Sequence, residues 1–291
     1  MTLASAPSDA SLDAPSAETR RLLGWPPGGG SNGNGHSEAA WRERRYAELR
    51  REVLTRPAVF IGTGTCGLGA GAAETLEAVR HWLHERGIEA DIVEVGCIGM
   101  CSAEPLLDVQ LPGRTRLMFQ QATAAQVPAL LEAVFDGRVP LTGVFGQHRQ
   151  EGLESWPDVV FLDEHPFFAS QTRWVLANCG RIDPGHVDEY IAHGGYAAWR
   201  NVLAGVTPEA VCEQVVQSGL RGRGGGGFST GMKWRFARKA DAAQKYLVCN
   251  ADEGDPGAFM DRAVIEGDPH RLVEGMCLAA YAIGATKAYV Y

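Results

Sequence analysis

Five of the six residues from Gly222 to Gly227 are glycine, broken only by Arg223. Glycine has the largest backbone entropy to lose in a helix or strand, so this run is a loop that divides the chain. Without Cβ atoms, several backbone N–H groups can converge there on one anion or flat ring. Arg223 and Lys233 add cations, and Thr230 is placed to cap a short helix through Lys239 whose N-terminus would face the same ligand. A phosphate-bearing ligand is the natural guest. A flexible linker is the plain alternative, but linkers are Gly/Ser mixtures without interleaved Arg, Phe, Lys and Trp.

The loop satisfies G-x-G-x-x-G, yet a dinucleotide fingerprint follows a strand. Here the preceding segment, opened by Thr207-Pro208-Glu209 and ended by Gly219, reads as a helix. No Gly-Lys-Ser or Gly-Lys-Thr follows, so it is not a Walker A loop either. A second cluster, Asn250-Ala251-Asp252-Glu253-Gly254-Asp255-Pro256-Gly257, follows a predicted strand over 245–249, where α/β proteins place ligands. Its carboxylates and amide suit the hydroxyls of a ribose or ribityl chain. Taken alone it reads more simply as an acidic turn.

The rest of the chain supplies an α/β frame. Residues 1–36 are Ala, Ser, Pro, Gly and Asp rich and read as a disordered tail. A charged helix follows over 37–55, with Trp41, Leu49 and Val53 as its apolar stripe and Pro57 as its stop. Residues 37–137 then read as one small domain: strand 58–61, a loop with Cys66, helix 70–86 closed by Gly87, strand 88–95, a loop with Cys97 and Cys101, strands 106–110 and 116–120, and helix 123–135. Residues 138–205 read as linker and helical connector, with a helix over 167–179 and another opened by Asp183-Pro184. Residues 206–291 begin a second α/β domain, with a helix from Asp268-Pro269 to Ile283 and a strand over 287–291. There are no internal repeats.

Composition narrows the function classes. No run of about 18 apolar residues exists to span a bilayer. A net charge of -8 argues against nucleic acid as a partner, since that needs a dense basic surface. The N-terminus lacks the basic and apolar regions of a secretory signal, which points to the cytoplasm. Seven cysteines, an odd and uneven set, fit reduced thiols or metal ligands better than a disulfide framework.

The segments 220–234, 250–262 (NADEGDPGAFMDR) and 268–280 (DPHRLVEGMCLAA) closely resemble the flavin-bearing, NADH-binding subunit of respiratory complex I. The same subunit occurs in NAD-reducing hydrogenases and NAD-dependent formate dehydrogenases. The stretch 166–196, with Asn178-Cys179-Gly180, is similar to the hydrogenase-type members. The resemblance implies FMN and NAD(H) as cofactors and other subunits of a multisubunit oxidoreductase as partners. It implies that Gly222, Arg223, Gly224, Gly225, Gly227, Lys233, Asn250 and Asp252 hold FMN. Phe228, Glu253 and Asp255 would lie beside it where NADH docks, with Glu253 and Lys233 nearest the chemistry. Hydride would pass between nicotinamide and flavin, and single electrons would then go to iron-sulfur centres. Many relatives have Glu at the place of Asp255 and Pro at the place of Ser229.

Cys97-Ile98-Gly99-Met100-Cys101, with Cys66 upstream, is similar to the thioredoxin-like 2Fe-2S ferredoxin, whose pattern is C-x4-C followed by C-x3-C. Such a cluster takes four thiolates, and Ile61 stands where the first ligand belongs. Four readings remain open: a cluster with a substitute ligand, a cluster-free remnant used for packing or docking, zinc with a fourth donor such as Glu104, or a redox pair of Cys97 and Cys101. Cys179, Cys212, Cys249 and Cys277 lack ligand spacing and read as structural thiols.

Family relatives continue past the position of Tyr291 into the rest of the flavin domain and a helical domain that binds a 4Fe-4S cluster. The chain is therefore expected to be an N-terminal portion of such a subunit, with its last strand presenting an open edge. The alternative from a different class is a non-catalytic thioredoxin-like adaptor without bound flavin or cluster.

Overall fold

The computed structural model describes residues 16–24 and 35–291. Two short helices, α1 (Ala17–Leu22) and α2 (Gly35–Leu49), precede the first domain. That domain is built on the apolar run Ala58-Val59-Phe60-Ile61, which forms the fully buried strand β1 (Ala58–Gly62). The chain leaves β1 through α3 (Thr65–Gly69) and α4 (Ala72–Arg86), then returns as β2 (Asp91–Val95), parallel to β1. Gly87, at φ 61°, ends α4 in the left-handed cap foreseen from its position. β3 (Leu107–Gln110) and β4 (Leu117–Phe119) add antiparallel strands on the other side of β1, and α5 (Val127–Phe135) covers them. With β5 (Val144–Gln147) the sheet order is β2-β1-β3-β4-β5. A parallel βαβ unit followed by an antiparallel ββα unit is the thioredoxin-like arrangement.

One sheet face, with Val59, Ile61, Leu107, Val109, Leu117 and Phe119, packs on Leu76, Val79, Leu83, Leu130, Leu131 and Val134 of α4 and α5. Each such side chain removed from water contributes about 1.5–3 kcal/mol. The opposite face buries Phe60, Val93 and Val95. It also buries an ion pair, Arg116 to Asp108 at 2.5 Å, whose guanidinium lies 3.6 Å from the Phe60 ring centre.

The connector holds α6 (Val187–Ala192) and α7 (Ala197–Leu203). The second domain comprises α8 (Pro208–Gln217), α9 (Thr230–Lys239), β6 (Tyr246–Cys249), α10 (Met260–Gly267), α11 (Pro269–Ile283) and β7 (Lys287–Val290). β6 and β7 pair in parallel, with Val248 opposite Tyr289. Gly231 lets α8 and α9 close on each other, since a Cβ there would lie 2.4 Å from the Val216 nitrogen. The first domain meets α10 where Thr65 N donates to Glu266 Oε2 at 3.0 Å, and the connector meets the end of α10 where Asn178 Nδ2 donates to Asp268 Oδ2 at 2.9 Å.

Several segments differ from the sequence reading. Within the expected tail, residues 17–22 are helical, because Ser16 caps the turn and Leu22 is fully buried; residues 1–15 and 25–34 lie outside the described residues. The charged helix stops at Leu49 rather than near 55. Residues 167–179 are turns and not a helix. Phe168 there packs on a cluster formed by Ile98, Met118 and Phe145, and Arg173 donates to Ile98 O at 2.8 Å, so docking overrides the local pattern. Asp183 accepts from Gly185 N in a turn, and the helix begins at Val187. β5, α7 and α10 were not foreseen.

Candidate functional site

The glycine loop is closed at its neck. Arg221 and Ser229 form an antiparallel bridge, Gly222 N donates to Phe228 O at 2.8 Å, and Thr230 N donates to Leu220 O at 3.0 Å. Between these bonds the backbone N–H groups of residues 223–228 donate to no acceptor among the described residues. Cβ atoms built on Gly224, Gly225, Gly226 and Gly227 would meet nothing within 4 Å, so internal packing does not require these glycines. Gly225 at φ 96° and Gly227 at φ 58° do need the left-handed backbone that turns the N–H groups outward. Exposed, unpaired donors in an open space are what an anionic ligand requires.

Side chains around the neck sharpen this. Arg235 and Arg238 of α9 are neutralised by Glu213 and Glu209 of α8, whereas Arg223 and Lys233 form no ion pair among the described residues. Ser229, not Thr230, caps α9: its hydroxyl accepts from Met232 N at 3.4 Å. The helix therefore begins one residue after the loop's neck, with its positive end at the loop and Lys233 in its first turn. Phe228 is exposed, and its ring centre lies 6.3 Å from that of Phe236.

β6 delivers the acidic cluster. Asn250 Oδ1 accepts from Asp252 N at 2.9 Å, and Ala251 N donates to Tyr291 O at 2.7 Å. Glu253 is half-buried, and its Oε1 accepts from Asp261 N at 2.8 Å in the first turn of α10. Asp252, Glu253, Asp255 and Asp261 line an open cleft of about 530 Å³ with Phe259 and Met260. Asp261, Phe259 and Met260 were not singled out in the sequence; their only signal was membership of the same motif. Asn250, Lys233 and the glycine loop do not line this cleft, and no hydrogen bond or ion pair joins the two loops among the described residues. The arrangement is two half-sites of opposite charge, one offering N–H groups and cations, the other carboxylates. Cations and N–H donors suit a phosphate; carboxylates suit sugar hydroxyls, which are donors.

The third feature lies between α3 and β3. The Sγ atoms of Cys66, Cys97 and Cys101 all lie within 4.8 Å of one another. Beside them Glu104 is buried, its Oε1 3.7 Å from Cys66 Sγ and its Oε2 accepting from Leu106 N at 2.9 Å. Burial pushes the Glu104 carboxyl up to about 7. The Cys66 thiol is raised by its hydrogen bond with Cys97 and by burial, and Cys101 by burial. Ile61 is elsewhere: its side chain is fully buried in the core against α4. The carboxylate beside the thiol group is Glu104. Of the four cysteines without ligand spacing, Cys179 and Cys212 are buried, whereas Cys249 and Cys277 are half-buried.

The chain is similar to several known proteins. Residues 215–291 match the family described as the Nuo51 FMN-binding domain. The chain is 58% identical over 121 residues to NADP-reducing hydrogenase subunit HndC of Solidesulfovibrio fructosivorans, covering 42% of this chain and 24% of that protein. It is 33% identical over 201 residues to NAD-reducing hydrogenase HoxS subunit alpha of Cupriavidus necator, covering 69% of this chain and 30% of that one. Among solved structures, an NAD+-reducing NiFe-hydrogenase aligns with 89% of this chain and 43% of its own at 24% identity and a TM-score of 0.33. The chain spans about a quarter of the length of the curated relatives it matches.

Proposed function

We propose that this chain, whose residues 215–291 match the Nuo51 FMN-binding domain, is a flavin-bearing electron-transfer subunit that exchanges hydride with NADH in a multisubunit oxidoreductase. The observation that carries the reading is the glycine loop with its unpaired N–H groups beside the unpaired Lys233. FMN, when bound, supplies hydride exchange with the nicotinamide and releases electrons singly.

The chain's own residues bind and orient. The N–H groups of residues 223–228, with Arg223, Lys233 and the start of α9, cradle the phosphate of FMN, and Gly222, Gly224, Gly225 and Gly227 keep the approach free of Cβ atoms. Asn250 and Asp252 face the ribityl hydroxyls, to which their oxygens are acceptors. Phe228, exposed at the loop's edge, offers a ring face to the nicotinamide. Glu253 and Asp255 line the cleft in which the NADH sugar hydroxyls find acceptors. Other subunits of the complex are the proposed electron acceptors or donors. Among the described residues no helix is long and apolar enough to cross a membrane, and the cytoplasm is the compartment we propose.

The test is an anaerobic ultraviolet-visible spectrum of the protein reconstituted with FMN, before and after NADH. Flavin bands that bleach with NADH are expected. A folded protein that takes up no FMN would contradict the reading.

A further inference from the structure

Cys66, Cys97, Cys101 and Glu104 make a four-donor set that the flavin reading leaves unused, and its geometry tests which metal group it suits. Around a tetrahedral ion with metal–sulfur bonds of about 2.3 Å, ligand sulfurs stand about 3.8 Å apart. Cys97 Sγ and Cys101 Sγ are 3.8 Å apart, and Cys66 Sγ lies within 4.8 Å of both. Glu104 Oε1 lies 3.7 Å from Cys66 Sγ, the spacing of two ligands of one ion, and is the carboxylate nearest the three-thiol group. A two-iron cluster spreads its four ligands as pairs over two irons, so three of them do not surround one point. Ile61, which occupies the place of the first ligand in the ferredoxin pattern, has no donor atom and is sealed in the core. The donors therefore do not fit a 2Fe-2S cluster and do fit one ion.

We propose that Cys66, Cys97, Cys101 and Glu104 bind a single divalent ion of the zinc class as a closed structural site. Three thiol protons leave to solvent as three metal–sulfur bonds form, and Glu104 binds as the carboxylate; no electron is transferred.

The surroundings are built for it. Gly99 N donates to Cys97 Sγ at 3.2 Å, the outer hydrogen bond that orients a metal-bound thiolate, and Gly99 at φ 92° makes the turn between Cys97 and Cys101 possible. Leu106 N holds one oxygen of Glu104 and leaves the other aimed at Cys66. Room for that carboxylate comes from Gly62, where a Cβ would lie 2.8 Å from Glu104 Oε2. A Cβ on Gly67 would lie 1.9 Å from the Gly62 oxygen, so α3 can bring Cys66 to the site only with glycine there. Arg173, which donates to Ile98 O and feels the charge of Cys97, offsets part of the anionic excess. Thr65, next to Cys66, donates through its nitrogen and hydroxyl to Glu266 of α10. An ion at the thiols thus fixes the loop that clamps the thioredoxin-like domain onto the wall of the acidic cleft.

The experiment is metal and sulfide analysis of the full chain, followed by removal of metal and titration with Zn2+ and Co2+. The expected result is one zinc per chain without acid-labile sulfide, and a cobalt derivative with the intense visible bands of a tetrahedral thiolate site. Glu104→Gln, and Cys101→Ser at the exposed thiol, should each weaken zinc binding at least about tenfold while circular dichroism shows the fold intact. Iron with equimolar sulfide would overturn the proposal, as would a folded chain that takes up neither zinc nor cobalt. An unchanged cobalt spectrum and zinc affinity in Glu104→Gln would remove Glu104 from the site and overturn the four-donor assignment.

Discussion

Gly96 and Gly267 pack backbone against backbone: a Cβ on Gly96 would lie 2.3 Å from the Gly267 Cα. Gly96 follows β2 and Gly267 ends α10, so this contact is where the thioredoxin-like sheet meets the helix bounding the acidic cleft. On its other side Gly267 is closed off by Cys179, whose Sγ would stand 2.9 Å from an added Cβ. Gly96→Ala must therefore push the domains apart. The expected cost is about 1–3 kcal/mol, seen as a lower Tm and faster proteolysis of the connector. A wild-type Tm and cleavage pattern would show that the contact is not tight.

Glu274 plays a comparable part between the connector and α11. It is buried on α11 and accepts from the Tyr190 hydroxyl at 2.6 Å, Tyr196 N at 2.7 Å and Trp199 N at 3.1 Å. One carboxylate thus fixes α6, α7 and the left-handed Tyr196, φ 57°, to α11. Glu274→Ala strands three donors and is expected to cost about 3 kcal/mol or more in urea denaturation. Glu274→Gln, which keeps one acceptor oxygen, should lose less. Equal losses in the two variants would mean that cavity formation rather than hydrogen bonding sets the cost.

How far the sequence reached follows from the same kind of contact. β1 was legible because four consecutive apolar residues leave it no exposed face, and the ends of α4 and α11 because Gly87 and Gly284 both take the left-handed cap. The glycine loop was legible as a ligand loop, but the role of Ser229 as the cap of α9 was not, since Ser and Thr stand side by side. β5 was missed because Val144-Phe145-Gly146-Gln147 is short, and its place in the sheet depends on distant groups. Gln147 is held by Thr115 and by the Trp156 backbone, and a Cβ on Gly146 would lie 2.8 Å from Leu162 Cδ2. At the thiols, spacing showed that Ile61 leaves a ligand position empty and offered Glu104 among the donors, but only the fold shows that the alternation of β1 turns Ile61 into the core and that Glu104 lies beside Cys66.

His148 gives the fold a pH dependence. Burial, with Arg116 adding repulsion, lowers its imidazole from about 6.5 to about 4, although Asp108 Oδ2 is only 3.6 Å away. Between those values the unfolded chain binds a proton that the folded one does not, so stability rises with pH. The contribution is complete above about 6.5 and is lost as pH falls toward 4, up to roughly 3 kcal/mol. Urea midpoints measured from pH 7 to pH 4.5 should fall steeply in the wild type and less steeply in His148→Gln. Parallel curves for the two proteins would assign the acid sensitivity to other groups.

Gly225 and Lys233 separate the backbone and side-chain contributions to the flavin loop. A Cβ on Gly225 meets nothing, so Gly225→Val should leave the core and Tm close to wild type, while φ 96° costs any side chain roughly 1–2 kcal/mol and makes the loop abandon its open shape. Lys233 is exposed on α9, and its replacement by alanine removes one cation without uncovering a buried group. Only FMN carries the phosphate that Lys233 and the N–H groups address. Lys233→Ala should therefore weaken FMN about tenfold and leave riboflavin unchanged, whereas Gly225→Val should weaken FMN by a similar or larger factor through the lost N–H array. Lys239→Ala, at the far end of the same helix, is the control and should bind FMN as the wild type does. Calorimetric titration of the four proteins with FMN and riboflavin reads all of this at once. Equal weakening of both flavins by Lys233→Ala would move the phosphate away from α9 and with it the orientation of the cofactor proposed here.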